Sequence, residues 1–178
     1  MHTKKTRNFL LTATLIITLG LGAKATYASE QFDTRYRVTY DIKPEGETHI
    51  TQDISIINKL SDVIATSYSL NINKLNIYDI EGSDSGGKLQ INTEKNDDSL
   101  RIDTTFNTQV IGQGRSLNWT LKYKSKDIAT RVGEVWNINI PRVETLDTTN
   151  DYLVILRIPK GFGPKIYMSP KPSYESEE

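Results

Sequence analysis

Cysteine is absent from the 178-residue chain. Its absence excludes disulfides, thiolate metal sites and cysteine nucleophiles within this sequence. Many small exported domains rely on disulfides because their cores are small. A domain of about 150 residues, however, is large enough to fold around an apolar core of its own. We therefore expect a core that is held together by packing alone.

Histidine is almost as scarce, since His49 is the one histidine beyond the first few residues. A zinc site is not expected from one histidine without cysteine, and no neighbouring residues indicate a catalytic triad. Two acidic loops, at residues 79–84 and 144–151, lack the spacing of a calcium-binding loop. The sequence therefore predicts no enzyme, and no catalytic, cofactor-binding or metal-binding residue. A hydrolase that uses two carboxylates is the alternative, because their separation in space cannot be derived from sequence.

Basic residues are concentrated at the N-terminus, ahead of a long apolar stretch. The first seven residues carry three positive charges, Phe9–Leu21 is largely apolar, and small residues follow as far as Ala28. This layout predicts a signal peptide over residues 1–28. The apolar stretch is shorter than the about 20 residues of a membrane-spanning helix. We expect an exported protein, extracellular or in the cell envelope. The alternative is an uncleaved N-terminal anchor, which would be its one membrane contact.

An excess of basic residues is also missing from the remainder of the chain. The full sequence has 22 basic and 22 acidic residues, but residues 1–28 contain four basic residues and no acidic one. The mature chain therefore carries a net charge of about −4. Nucleic-acid-binding domains show a basic excess, so we expect no nucleic-acid partner.

Beyond Gln31 the apolar residues recur with a period of two. Polar and apolar side chains alternate at residues 35–42, 50–56, 67–72, 117–124 and 136–140. Such alternation predicts strands with one buried face, which is typical of antiparallel sheets. Only Tyr152 to Ile158 resembles a continuous apolar run, and it is predicted to be a central strand. The sequence predicts an all-β domain over residues 31–160, an antiparallel β-sandwich of about nine or ten short strands, preceded by the signal-peptide helix.

Two further features concern the tryptophans and the C-terminal segment. Trp119 and Trp136 lie on predicted core faces, although an aromatic platform for a sugar is the alternative. Residues 161–178 are rich in proline and glycine, which predicts a linker or tail rather than a strand. We expect a second domain to follow such a linker.

Several short motifs occur in a recognisable order. They are Tyr40–Gly46, Phe106–Gly112, Gly133–Arg142 and Ile158–Gly163. Their succession, over roughly residues 34 to 172, resembles the N-terminal β-sandwich region of exported bacterial proteins that carry a transglutaminase-like (papain-like) domain further along. The resemblance implies a non-catalytic accessory domain ahead of a catalytic domain that uses cysteine, histidine and aspartate. No catalytic residue can be transferred, because this chain has no cysteine.

The resemblance also bears on possible partners. It implies contact with a downstream transglutaminase-like domain, or with a protein or glycan of the cell envelope. The alternative function is a stand-alone module for cell-envelope binding or adhesion. Kinship of fold alone does not decide between these functions.

Overall fold

The computed structural model describes residues 31–97, 99–141 and 149–176. The predicted signal peptide over residues 1–28 therefore lies outside the described residues. Eleven strands are found in the described ranges: β1 (Phe32–Ile42), β2 (Thr48–Asn58), β3 (Ser67–Asn73), β4 (Ile77–Asp84), β5 (Gly87–Lys88), β6 (Gln90–Lys95), β7 (Ser99–Thr105), β8 (Ser116–Ser125), β9 (Ala129–Val132), β10 (Val135–Ile138) and β11 (Thr149–Arg157). A 3-10 turn, Lys160–Phe162, follows the last strand. Within these ranges, no helix has the length and apolar character needed to cross a membrane.

The strands form two packed layers and a separate hairpin. One layer is a six-stranded sheet in the order β11-β1-β2-β8-β4-β5, and the other is a three-stranded sheet in the order β3-β7-β6. Strands β9 and β10 form the hairpin. Side chains join the layers, since the Tyr36 hydroxyl of β1 bonds that of Tyr68 in β3, whose ring lies 5.2 Å from Trp119 of β8. The predicted all-β sandwich is confirmed.

The core lies between the two layers, and β2 and β8 contribute many of its buried side chains. The antiparallel register places Ile54 opposite Trp119 and Ile50 opposite Tyr123, so apolar side chains share the inner face. All four side chains are buried. Because each fully buried apolar side chain contributes about 1.5–3 kcal/mol, this strand pair accounts for much of the stability of the fold.

A tight turn joins the first two strands. The Lys43 N–H donates to the Glu47 carbonyl at 2.8 Å, and Gly46 adopts a φ of 90°. Glycine is needed there for a second reason, because a Cβ at Gly46 would lie 2.7 Å from the Trp136 ring. The turn thus positions the β9–β10 hairpin against the end of the six-stranded sheet.

The structure corrects the prediction for the last strand. Strand β11 is not central: it lies at one edge of the six-stranded sheet and runs parallel to β1, with Val154 opposite Val38. Its apolar run reflects apolar side chains on both faces, which the described part of the protein leaves partly uncovered. Leu153 is 45% exposed and Val154 is 40% exposed. An apolar run indicates that both faces are suited to burial, but it does not specify the position of a strand in the sheet.

The segment from Phe106 to Ile111 follows β7 but is not part of a strand, because β7 ends at Thr105. The backbone N–H groups of Asn107 and Thr108 donate to the Asp84 carboxylate, at 2.8 and 3.1 Å. Because these donors bond to a side chain, they do not join a strand ladder, and the segment forms a loop.

Candidate functional site

The outer face of the six-stranded sheet is polar because successive side chains of a strand point to opposite faces. Where Tyr36 and Val38 of β1 enter the core, Arg35 and Arg37 face outward. The register places Arg37 between Asp53 on β2 and Leu153 on β11, with Thr120 of β8 beyond Asp53. One row of cross-strand neighbours thus joins four strands.

A second row runs beside the first. It places Arg35 opposite Asp151 of β11 on one side and Ser55 of β2 on the other, with Asn118 of β8 beyond Ser55. The two rows line an open cleft of about 580 Å³. This volume lies within the range of roughly 300–1,000 Å³ that is usual for small-ligand sites.

Short hydrogen bonds hold the central side chains of the cleft in place. The Ser55 hydroxyl donates to Asn118 Oδ1 at 2.6 Å, and the Thr120 hydroxyl donates to Asp53 Oδ1 at 2.9 Å. Each bond joins β2 to β8 across the ladder. The second carboxylate oxygen of Asp53 and the amide nitrogen of Asn118 remain available to a bound molecule, because each group has more bonding positions than these contacts use.

The two arginines of the cleft form no ion pair within the described ranges, and both side chains are exposed. Each nevertheless has a carboxylate residue directly across the ladder, Asp151 for Arg35 and Asp53 for Arg37. A guanidinium group offers five N–H donors in a planar fork, so both side chains can bind a ligand.

The opposite end of the same face differs, because its charges are paired. Lys43 bonds Asp41 at 2.7 Å, and Lys124 bonds Asp79 at 2.9 Å. The Glu47 carboxylate contacts His49 Nε2 at 2.8 Å. At this end the charged side chains bond to each other, whereas around the cleft the two arginines form no ion pair within the described ranges. The cleft is therefore the part of the face where charged groups can bind a ligand.

Glu47 is also linked to a tyrosine. The Tyr78 hydroxyl donates to Glu47 Oε2 at 2.6 Å, and this bond is the main cause that raises the pKa of Tyr78 to about 12. Hydrogen bonds from Tyr78 and then His49 hold the pKa of Glu47 below its usual value. His49 thus lies on the outward face of β2, with a carboxylate rather than a nucleophile as its bonded partner.

The first acidic loop bonds within the protein. The Asp84 carboxylate accepts the N–H of Gly86 at 2.8 Å, besides those of the loop after β7. Burial raises the pKa of Asp84, but these hydrogen bonds outweigh it and leave the pKa below its usual value. Asp79 and Glu81 pair with lysines. No metal-binding group of three histidine or acidic residues occurs in the part of the chain that the structure describes.

The second acidic loop is described only at its end. Glu144 and Asp147 lie outside the described residues. Asp151 is exposed and lines the cleft beside Arg35. The site therefore includes one residue that the sequence grouped with this acidic loop.

The two tryptophans have different roles. Trp119 is 3% exposed and lies in the core, as predicted. Trp136 is only half-buried, and its predicted core placement is wrong because β10 belongs to the hairpin rather than to either layer. Its ring stacks on Phe162, with centroids 4.1 Å apart and planes 5° from parallel. Since Gly46 covers it as well, the Trp136 ring joins the hairpin to the turn after β11.

Sequence reasoning did not identify Arg35 and Arg37 as site residues. The signal was present, because two arginines at positions i and i+2 of a predicted strand must face the same side. Their neighbours Asp53, Asn118 and Asp151 come from three other strands. Only the register of the sheet brings these residues together.

The fold and the cleft define an all-β module with a polar cleft of ligand size. No protein-family model matches the sequence, and no curated protein matches it. Among solved structures, the chain is similar to an M1 zinc metallopeptidase from Deinococcus radiodurans, at 12% identity and a TM-score of 0.36 over 53% of this chain and 20% of that one. A two-domain M1 zinc metallopeptidase bound to L-arginine matches at 11% identity and a TM-score of 0.36, over 62% and 25%. The chain thus spans a quarter or less of these proteins, and such low scores support no functional conclusion.

Proposed function

We propose that this chain is a non-catalytic accessory module of a larger exported protein, and that β11 is the surface on which a neighbouring domain of that protein docks. Accessory modules act by positioning a catalytic domain or by contacting its substrate. The observation that carries the proposal is that β11 lies at the edge of the six-stranded sheet with exposed apolar side chains.

Strand β11 combines an edge that no described strand covers with apolar side chains on both faces. Leu153 points outward and Val154 inward, yet both are at least 40% exposed, as is Ile158 just beyond the strand. On the other side of β11 from β1, no described strand is paired with it. A bare edge presents unpaired N–H and C=O groups, which a strand of another domain can bind. Docking of that kind would cover both the polar edge and the apolar side chains.

The neighbouring domain that we propose is transglutaminase-like. Support comes from the order of the motifs between Tyr40 and Gly163, which is similar to that in the N-terminal region of such exported bacterial proteins. The basic and apolar N-terminus supports export to the cell envelope or beyond. In this arrangement the chemistry belongs to the neighbouring domain, and the sandwich orients it.

Sequencing the source gene beyond the codon for Glu178 tests the transglutaminase-like assignment directly. We expect an open frame that encodes a cysteine, a histidine and an aspartate in a second domain. A stop codon immediately after Glu178 would contradict the proposal. A stand-alone binding module would then explain the protein better. This second candidate function is supported by the open cleft on the outer face of the sheet.

A further inference from the structure

We infer that the cleft formed by β11, β1, β2 and β8 binds a carboxylate-bearing saccharide. Arg35 and Arg37 hold the carboxylate, and the short polar side chains of β2 and β8 hold the hydroxyl groups. This binding site lies on the outer face of the sheet. It goes beyond the accessory role, and the arginines and polar side chains that it uses lie on β1, β2 and β8 rather than on β11.

The carboxylate is recognised by the two arginines. Because Arg35 and Arg37 are two residues apart on one strand, their Cα atoms are about 7 Å apart and their side chains share a face. Neither forms an ion pair within the described ranges, so their N–H donors are not committed to another protein group. Arginine binds carboxylates through two parallel hydrogen bonds, which fixes the orientation of the ligand as well as its charge.

The hydroxyl groups are recognised by the floor of the cleft. Asp53 offers an acceptor oxygen beyond the one that receives the Thr120 hydroxyl. Asn118 offers amide N–H donors, because the Ser55 hydroxyl already occupies its Oδ1. A sugar hydroxyl both donates and accepts, so neighbouring hydroxyls match an acceptor and a donor placed on adjacent strands.

The charge balance of the cleft selects against densely charged anions. Two arginines face two aspartates, Asp53 and Asp151, across the strand register. A third carboxylate, that of Asp84, also lines the cleft and accepts backbone N–H groups of Gly86 and of the loop after β7. A chain of phosphates would meet the aspartates less favourably than a sugar with one carboxylate per unit, because it carries more negative charge over the same length.

A peptide ligand fits the cleft less well. Of the outward-facing residues described along it, Leu153 alone is apolar. Peptide and protein ligands usually derive much of their affinity from apolar anchors in desolvated pockets. Hydroxyl-rich ligands instead match a surface of aspartate, asparagine, serine and threonine.

Calorimetric titration of the whole chain with trigalacturonic acid tests the inference. We expect saturable binding that weakens at least about tenfold in Arg37→Gln and in Arg35→Gln, because each substitution removes a charged group that can form two parallel hydrogen bonds to the carboxylate. Lys122→Gln is the matched control. Lys122 lies on β8, on the same outer face of the sheet as the two arginines but outside the cleft, and its substitution also removes one positive charge. That variant should bind as the unaltered protein does.

Other outcomes would overturn the inference. They are no binding of trigalacturonic acid, equal binding of its methyl ester, equal binding of tetraglutamate, or equal losses in the control and the arginine variants. Binding of the peptide alone would indicate a site for acidic peptides. All of these results can be distinguished from failure of the accessory role, which is tested on the gene and on β11. Unchanged urea denaturation of the arginine variants would show that they are folded.

Discussion

Strands β8 and β11 belong to one sheet and are similar in length and apolar content, but their surroundings differ. In β8, Leu121 is 0% exposed, because neighbouring strands lie on both sides and the second layer covers the inner face. In β11, Leu153 is 45% exposed at the edge of the sheet. The comparison shows that an apolar strand becomes core only where other elements cover it. The uncovered strand is where a partner is expected.

The largest expected effect is that of truncation in the covered strand. We expect Leu121→Ala to lower the free energy of unfolding by about 2–5 kcal/mol, because it leaves a cavity in a closely packed core. Urea denaturation of the variant and the parent protein measures the difference. A loss below about 1 kcal/mol would mean that β8 is not the centre of the core.

Trp136 tests a region outside both layers. We expect Trp136→Ala to cost about 1–2 kcal/mol, less than the about 3–5 kcal/mol of a fully buried aromatic, because the ring is half-buried. Hydrogen exchange should increase around Phe162, which loses its stacking partner. Unchanged exchange there would contradict the role of Trp136 in holding the turn after β11.

The leucine-to-alanine truncation should have a small effect in β11, the strand that is only partly covered. We expect Leu153→Ala to cost about 1 kcal/mol or less in this chain, because nearly half of the side chain already contacts solvent. Urea denaturation beside Leu121→Ala gives a matched comparison of one substitution on two strands. Equal losses would refute the difference between β8 and β11.

The smallest effect concerns Asp84, which joins the end of β4, beside β8, to the loop after β7. Because its folded-state pKa is lowered, its contribution to stability is complete above the unfolded value of about 3.9. It is lost as the pH falls through the lowered folded value. Denaturation at about pH 5 and about pH 2 should therefore show a smaller fall in stability for Asp84→Asn than for the parent protein. An equal fall would show that other carboxylates control the acid response.

Much of the fold follows from local chemistry. Alternation in β1, β2 and β8 predicts their buried faces, and the turn residues Pro44–Gly46 predict the first hairpin. The edge position and parallel direction of β11 could not be predicted, because they depend on which strand it meets after the β9–β10 hairpin. Whether the Trp136 side chain is buried in the core depends on the same tertiary arrangement.

The candidate site was less predictable than the fold. Alternation shows that Arg35 and Arg37 share a face, but not which residues stand opposite them. Asp53 and Asn118 reach the cleft through the pairing of β2 with β8, over more than 60 residues of sequence. Asp151 reaches it through the parallel pairing with β1. The residues that lie opposite the two arginines are thus determined by long-range strand register, which the periodicity of the sequence does not specify.

The most direct test of the docking role is amide hydrogen exchange on β11, measured in the complete product of the source gene and in residues 29–178 alone. We expect the N–H groups around Val154 that point away from β1 to exchange much more slowly in the complete product, because a neighbouring domain covers them. The N–H groups of Leu121, already within the sheet, should exchange alike in both. Equally fast exchange around Val154 in the two proteins would contradict the account.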